Sequence, residues 1–224
     1  MGSANLGLLR QCEEGLKAIE AAADVESVVT AMRTHAGSAG LQETACIALI
    51  QLTHNDAESK TRAGMAGAIE AVAAAMRTHA GSAGMQAAAC CALISLTTND
   101  ADYKTRVGIA GAVEAVAAAM RTHAGSAGVQ EAACSALIQL THNDAENETR
   151  AGTAGAVEAV AAAMRAHAGS AGVQGAACRA LIQLTYKDAE NTYRAGTAGA
   201  VEAVAAILRT HVKSTSVQEV ACLH

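Results

Sequence analysis

Between Val157 and Leu184 the apolar residues fall in two helical stripes. Val157, Val160, Ala161 and Met164 stand at i, i+3, i+4 and i+7, which gathers them on one side of a helix. Val173, Ala177, Ala180, Leu181 and Leu184 form a second such face. The stretch AGSAG divides the two, with Ser170 placed to cap the second helix. Upstream, ENETRAGTA predicts a shorter helix of roughly two to three turns, weakened by Gly152. Gly155 ends it, because an exit into the left-handed region favours glycine. Asn143 and Glu146, three residues apart, have the form of a capping box at its start. Arg165 and His167 close the middle helix, where cations suit the helix dipole. No run alternates apolar and polar residues with period two, so no strand is predicted.

This order of short, longer and longer helix returns every 44 residues. Residues 99–142 and 143–186 are identical at 35 of 44 positions. A period of that length marks a solenoid or a propeller, and a propeller blade needs strands. The units run 23–54 (partial), 55–98, 99–142, 143–186 and 187–224 (incomplete). Residues 1–22 read as an N-terminal capping helix, which a solenoid needs because its first unit has no neighbour to cover it. The near-identity of the copies fits either recent duplication or consensus engineering. The last unit leaves Val201, Val204 and Ile207 without a full third helix above them, an apolar end that predicts weak end-to-end self-association.

Composition sharpens the picture in two ways. The 224 residues contain no Pro, Trp or Phe and only three Tyr, so the core must be built from small aliphatic side chains that let helices approach closely. The net charge is −5. That argues against nucleic acid as a partner, since phosphate neutralisation needs Lys and Arg. No apolar run is long enough to span a bilayer. Of seven cysteines, Cys46, Cys90, Cys134, Cys178 and Cys222 share one phase of the repeat. Equivalent positions of stacked helices lie about 10 Å apart, whereas a disulfide needs Cα atoms within about 7 Å. They read as small buried hydrophobes of a protein kept in a reducing intracellular compartment, the cytoplasm.

The run NDAENETRAGTAGAVEAVAAAMRAHAGSAGVQGAACRALIQL resembles the armadillo repeat. The family's turn glycine falls on Gly67, Gly111, Gly155 and Gly199, and its Ala-Leu pair on Ala48-Leu49, Ala92-Leu93, Ala136-Leu137 and Ala180-Leu181. The resemblance covers nearly the whole chain. It implies an all-α, right-handed α-solenoid, an armadillo-like superhelix with three helices per repeat. The two-helix HEAT repeat is the other architecture considered, and the separate short helix and glycine turn favour armadillo.

The resemblance also implies where a ligand would sit. In the family, third helices line a concave groove, an Asn ladder holds the backbone of an extended peptide, and a Trp one turn earlier forms pockets. Here the Asn position holds Gln51, Ser95, Gln139 and Gln183. Glutamine keeps an amide donor and an acceptor. The Trp position holds Ile47, Cys91, Ser135 and Arg179, so the aromatic pockets of nuclear import receptors are missing. Flanking positions carry Glu43, Glu131, His54, His142 and Tyr186, with Glu219 in the last unit. The acidic residues imply a mild preference for basic ligands.

Catalytic chemistry finds no purchase. His35, His79, His123, His167 and His211 each precede a serine (38, 82, 126, 170 and 214) by three residues. Five copies along a rod do not make one catalytic site; the histidine closes one helix and the serine caps the next. No His/Cys set has zinc-ligand spacing within a unit, and AGSAG follows no strand and lacks a lysine, so it is not a phosphate loop. The chain is expected to be non-enzymatic, without cofactor or metal. Its expected partner is a protein or extended peptide on the third-helix face; the alternative is a purely structural rod, engineered or self-assembling.

Overall fold

The computed structural model describes Lys17, Ile19, residues 24–98 and residues 100–210. The rest of the predicted capping helix, the third helix of the last unit, and with them Cys12, His211, Ser214, Glu219 and Cys222, lie outside the described residues. The described residues hold thirteen helices and no strand. They are α1 (Val25–Thr34), α2 (Ala39–Thr53), α3 (Ala57–Ala66), α4 (Ala68–Thr78), α5 (Ala83–Thr97), α6 (Ala101–Ile109), α7 (Ala112–Thr122), α8 (Ala127–Thr141), α9 (Ala145–Thr153), α10 (Ala156–Ala166), α11 (Ala171–Thr185), α12 (Ala189–Thr197) and α13 (Ala200–Thr210). The short, longer, longer order is the predicted one. The chain divides into two compact units, residues 1–112 and 113–224.

Local chemistry sets the helix ends. Ser38, Ser82, Ser126 and Ser170 cap the third helices, each accepting from the backbone N–H three residues on. Gly67 at φ +80° and Gly155 at φ +77° make the turn from first to second helix, as the glycine pattern predicted. The predicted capping box is corrected. Asp144, not Asn143, caps α9, its Oδ1 accepting from the Asn147 N–H at 2.9 Å. Asn143 stands one residue earlier at φ +58°, in the left-handed region, which asparagine tolerates better than most residues.

The predicted apolar stripes form the core. In the second unit Val157, Val160, Ala161 and Met164 of α10 are buried, as are Val173, Ala177, Ala180, Leu181 and Leu184 of α11. Cys134 and Cys178 join them, and Cys46 and Cys90 do the same in the first unit. Third helices pack side by side, α2 with α5 in one unit and α8 with α11 in the other. At the last described helix the expectation holds in part. Val201 is 69% exposed, but Ile207 is only 3% exposed because it turns inward.

A polar clasp fastens each repeat to the next. In the first unit Arg62 pairs with Glu26 and Arg106 with Glu70, both at 2.7 Å. In the second, Arg150 and Arg194 stand 3.6 Å from Glu114 and Glu158. Arginines of the second helices reach forward to bare carbonyls at the next first-helix end: Arg33 to Ala66 at 2.7 Å, Arg121 to Ala154 at 2.6 Å. The histidines do more than the helix-dipole role predicted for them. His79 Nε2 lies 2.7 Å from the Ala36 carbonyl, and His167 Nε2 lies 2.8 Å from that of Ala124. Each ring, protonated at Nε2, ties its helix end to the preceding AGSAG loop.

Candidate binding face

The third helices of each unit present one side to solvent, and the candidate residues lie there. On α2, Ile47 is 44% exposed. Gln51, one turn later, is exposed and has no hydrogen-bond partner among the described residues. On α5, Cys91 is exposed. Ser95 is half-buried and its Oγ lies 2.9 Å from Thr53 Oγ1, so it joins α5 to α2. His54 caps the C-terminus of α2, its Nε2 3.1 Å from Asn55 Nδ2.

The second unit is more polar. Ser135 and Gln139 are half-buried on α8, while on α11 Arg179 is exposed and Gln183 half-buried. The Gln183 amide is held from both sides. Its Nε2 donates to Glu148 Oε1 at 3.1 Å, and its Oε1 lies 3.3 Å from His142 Nδ1. His142 Nε2 lies 3.2 Å from Asn143 Nδ2. One tautomer satisfies the chain: Asn143 donates to Nε2, Nδ1–H donates to Gln183, and Gln183 donates to the carboxylate. Burial pushes the Glu148 carboxyl above its ordinary range, with the bond from Gln183 pulling the other way. Two periods earlier, in the first unit, Lys60 and Ser95 stand in place of Glu148 and Gln183, so the chain is not repeated there.

The flanking candidates divide. Tyr186 is 61% exposed and carries the Lys187 ammonium 4.9 Å from its ring centroid. Glu43 and Glu131 reach the start of the following third helix. A Cβ added at Gly84 would stand 2.6 Å from the Glu43 carboxylate, and one at Gly172 would stand 2.5 Å from that of Glu131. Both carboxylates therefore rest on the first turn of the following third helix, where the dipole favours negative charge. Cys91 is the one exposed thiol among the described cysteines, and burial of its flank raises its pKa.

Sequence reasoning missed the residues that hold this face in place. Gln42, Gln86, Gln130 and Gln174 are buried, and each Nε2 bridges two carbonyls at the end of the second helix. In the second unit Gln174 reaches Met164 at 2.7 Å and His167 at 2.8 Å. The signal was present: a glutamine recurring with period 44 beside the first buried Leu, Met or Val of each third helix. Asn147 and Asn191, also buried, donate to the Leu140 and Leu184 carbonyls at 3.0 Å.

No helix among the described residues is long and apolar enough to cross a membrane. Among them no cluster of His, Cys, Asp and Glu is placed to hold a metal ion. A family model described as the LRRK2 ARM repeat matches residues 10–201. Among solved structures, the chain is similar to the crystal structure of an engineered protein, with 25% sequence identity and a TM-score of 0.76 over 88% of this chain and 78% of that one. No curated protein matches it.

Proposed function

From the membership of this chain in the LRRK2 ARM repeat family, we propose that it is a non-enzymatic scaffold that binds an extended protein segment on its third-helix face. The observation that carries this reading is the division of labour among polar side chains. Arg and His residues fasten repeat to repeat and buried Gln residues fasten the helices within each repeat, whereas Ile47, Gln51, Cys91 and Arg179 are exposed on the third helices without any such task. Paired third helices stand about 10 Å apart, a span of about three residues of extended chain. Backbone capture by a neutral amide contributes about 0.5–1.5 kcal/mol net per hydrogen bond. Gln51 offers its amide at once; Gln183 must first release Glu148 or His142. Binding is therefore weak and tolerant of sequence. The reducing, cytoplasmic setting belongs to this proposal, and its support is the set of buried free thiols.

Selection from a random peptide library tests it. Selected peptides should weaken about tenfold when Gln139 and Gln183 are both replaced by alanine, about 1.4 kcal/mol, with helicity unchanged. Peptides that bind the double variant as well as the parent remove this face from consideration. A second reading, an engineered rod with no natural ligand, is favoured by the 35 identical positions between neighbouring repeats and by the likeness to an engineered protein. A selection that enriches nothing supports that reading.

A further inference from the structure

Two positions of the third helices reverse their charge between neighbouring repeats of the second unit. On α8 they hold Glu131 and Ser135; one period later, on α11, they hold Gly175 and Arg179. The exchange removes a carboxylate and adds a guanidinium. The Glu131 carboxylate is engaged elsewhere, at the first turn of α11 beside Gly172, where the helix dipole offsets its charge. Arg179 is exposed, with neither a hydrogen bond nor an ion pair among the described residues. Its Nη1 lies 3.7 Å from where a Cβ on Gly175 would stand, so the guanidinium folds back over the place the missing carboxylate leaves. Other arginines of this unit are committed to neighbouring repeats: Arg121 and Arg165 to carbonyls, Arg150 and Arg194 to carboxylates. The nearby acids are committed too. Asp144 and Asp188 accept from the backbone N–H groups of Asn147 and Asn191, and Glu148 accepts from Gln183. At the end of α11, Lys187 is a second exposed cation, held over the Tyr186 ring.

We propose that the α11 section of the third-helix face selects extended peptides carrying an Asp or Glu side chain, with Arg179 as the anchor; this rests on the reading of that face as a peptide site. It reverses the mild preference for basic ligands that the acidic residues imply, because those carboxylates are engaged and the cations are open. The planar guanidinium offers two parallel N–H donors to one carboxylate. Gln183 stands four residues on, on the same side of the helix, where its amide reaches the ligand backbone beside that carboxylate. In the first unit the position of Arg179 holds Ile47 and Cys91, neither of them a cation, so the selection belongs to α11.

The probe is a positional-scanning library of acetylated and amidated peptides, so that every carboxylate is a side chain's, measured against the full chain. Pools with Asp or Glu fixed at one position should bind about fivefold tighter than pools with Lys there, the scale of an exposed ion pair. Arg179→Glu should invert that order and Arg179→Ala should abolish it, with circular dichroism unchanged because the side chain is exposed. Gln139→Ala combined with Gln183→Ala should weaken acidic and basic pools alike, which separates this proposal from the reading it rests on. Pools that depend on those glutamines but show no acidic preference, or a preference that survives Arg179→Glu, overturn the proposal and leave the peptide site standing. A basic preference that Glu131→Gln removes does the same. Absence of binding by every pool overturns both.

Discussion

Gln174 Nε2 lies 2.7 Å from the carbonyl oxygen of Met164, ten residues back along the chain. The contact is buried, and it lets the start of a third helix close the open end of the second. Because Gln174 also reaches His167 at 2.8 Å, its loss orphans two carbonyls. Gln174→Ala should destabilise the protein by about 1–3 kcal/mol, the desolvation penalty of an unmet buried group. Urea unfolding measures it. A loss near zero would mean that water reaches these carbonyls.

The cysteines predict an alkaline limit. Burial pushes the thiols of Cys46 and Cys134 up to about 12 and that of Cys178 to about 11, from an ordinary thiol value of 9.0. A folded pKa above the unfolded one adds stability that is fully present below about pH 9 and lost as pH rises toward 12. Melting temperature should therefore fall steeply from pH 9 to 11. Cys46→Ala combined with Cys134→Ala should flatten that fall. Maleimide labelling at pH 8 should modify Cys91 and spare Cys46, Cys90, Cys134 and Cys178. Labelling of all five in the native state would reject the stacked core.

Glu148 gives a prediction of its own. Burial raises its carboxyl, so its contribution is favourable below the unfolded pKa near 4.5 and lost as pH rises through the folded value. At neutral pH the charge is a mild cost. Glu148→Gln keeps an acceptor for Gln183 and removes that charge. We expect a gain of about a few tenths of a kcal/mol at pH 7, small because the side chain is half-exposed, and none at pH 4. Equal gains at both values would show that charge is not the cause.

The repeat made most of the fold legible. Period 44 gave the helix order, the glycine turns gave the joints between first and second helices, and the stripes Val157–Met164 and Val173–Leu184 gave the core. The misreadings came where two polar residues compete for one backbone position. Asn143 and Asp144 both suit a helix start; the chain needs a left-handed residue as well as a cap, and only the structure assigns which is which. The approach of Glu43 and Glu131 to the following third helix was not legible either, because a sequence shows the face of a helix but not the neighbour that helix leans on. The His142–Gln183–Glu148 chain was hidden for the same reason, as it joins three helices across 41 residues of sequence.

Gly152 and Gly196 occupy the same position one repeat apart, and alanine should act on them in opposite senses. At Gly152 the Asn191 amide fills the space a Cβ needs. Gly152→Ala must push α12 outward or break the Asn191 bond to Leu184, and overpacking of this kind costs about 1–3 kcal/mol. At Gly196 nothing stands within 4 Å, and the residue is helical in an exposed turn. There Gly196→Ala should stabilise the protein by about 0.5–1 kcal/mol, the helix-propensity difference. Thermal unfolding of the two variants in parallel compares them without assumptions about the rest of the chain. If both destabilise equally, the space beside Gly196 is already filled. If neither does, the joint over Gly152 is looser than its geometry requires.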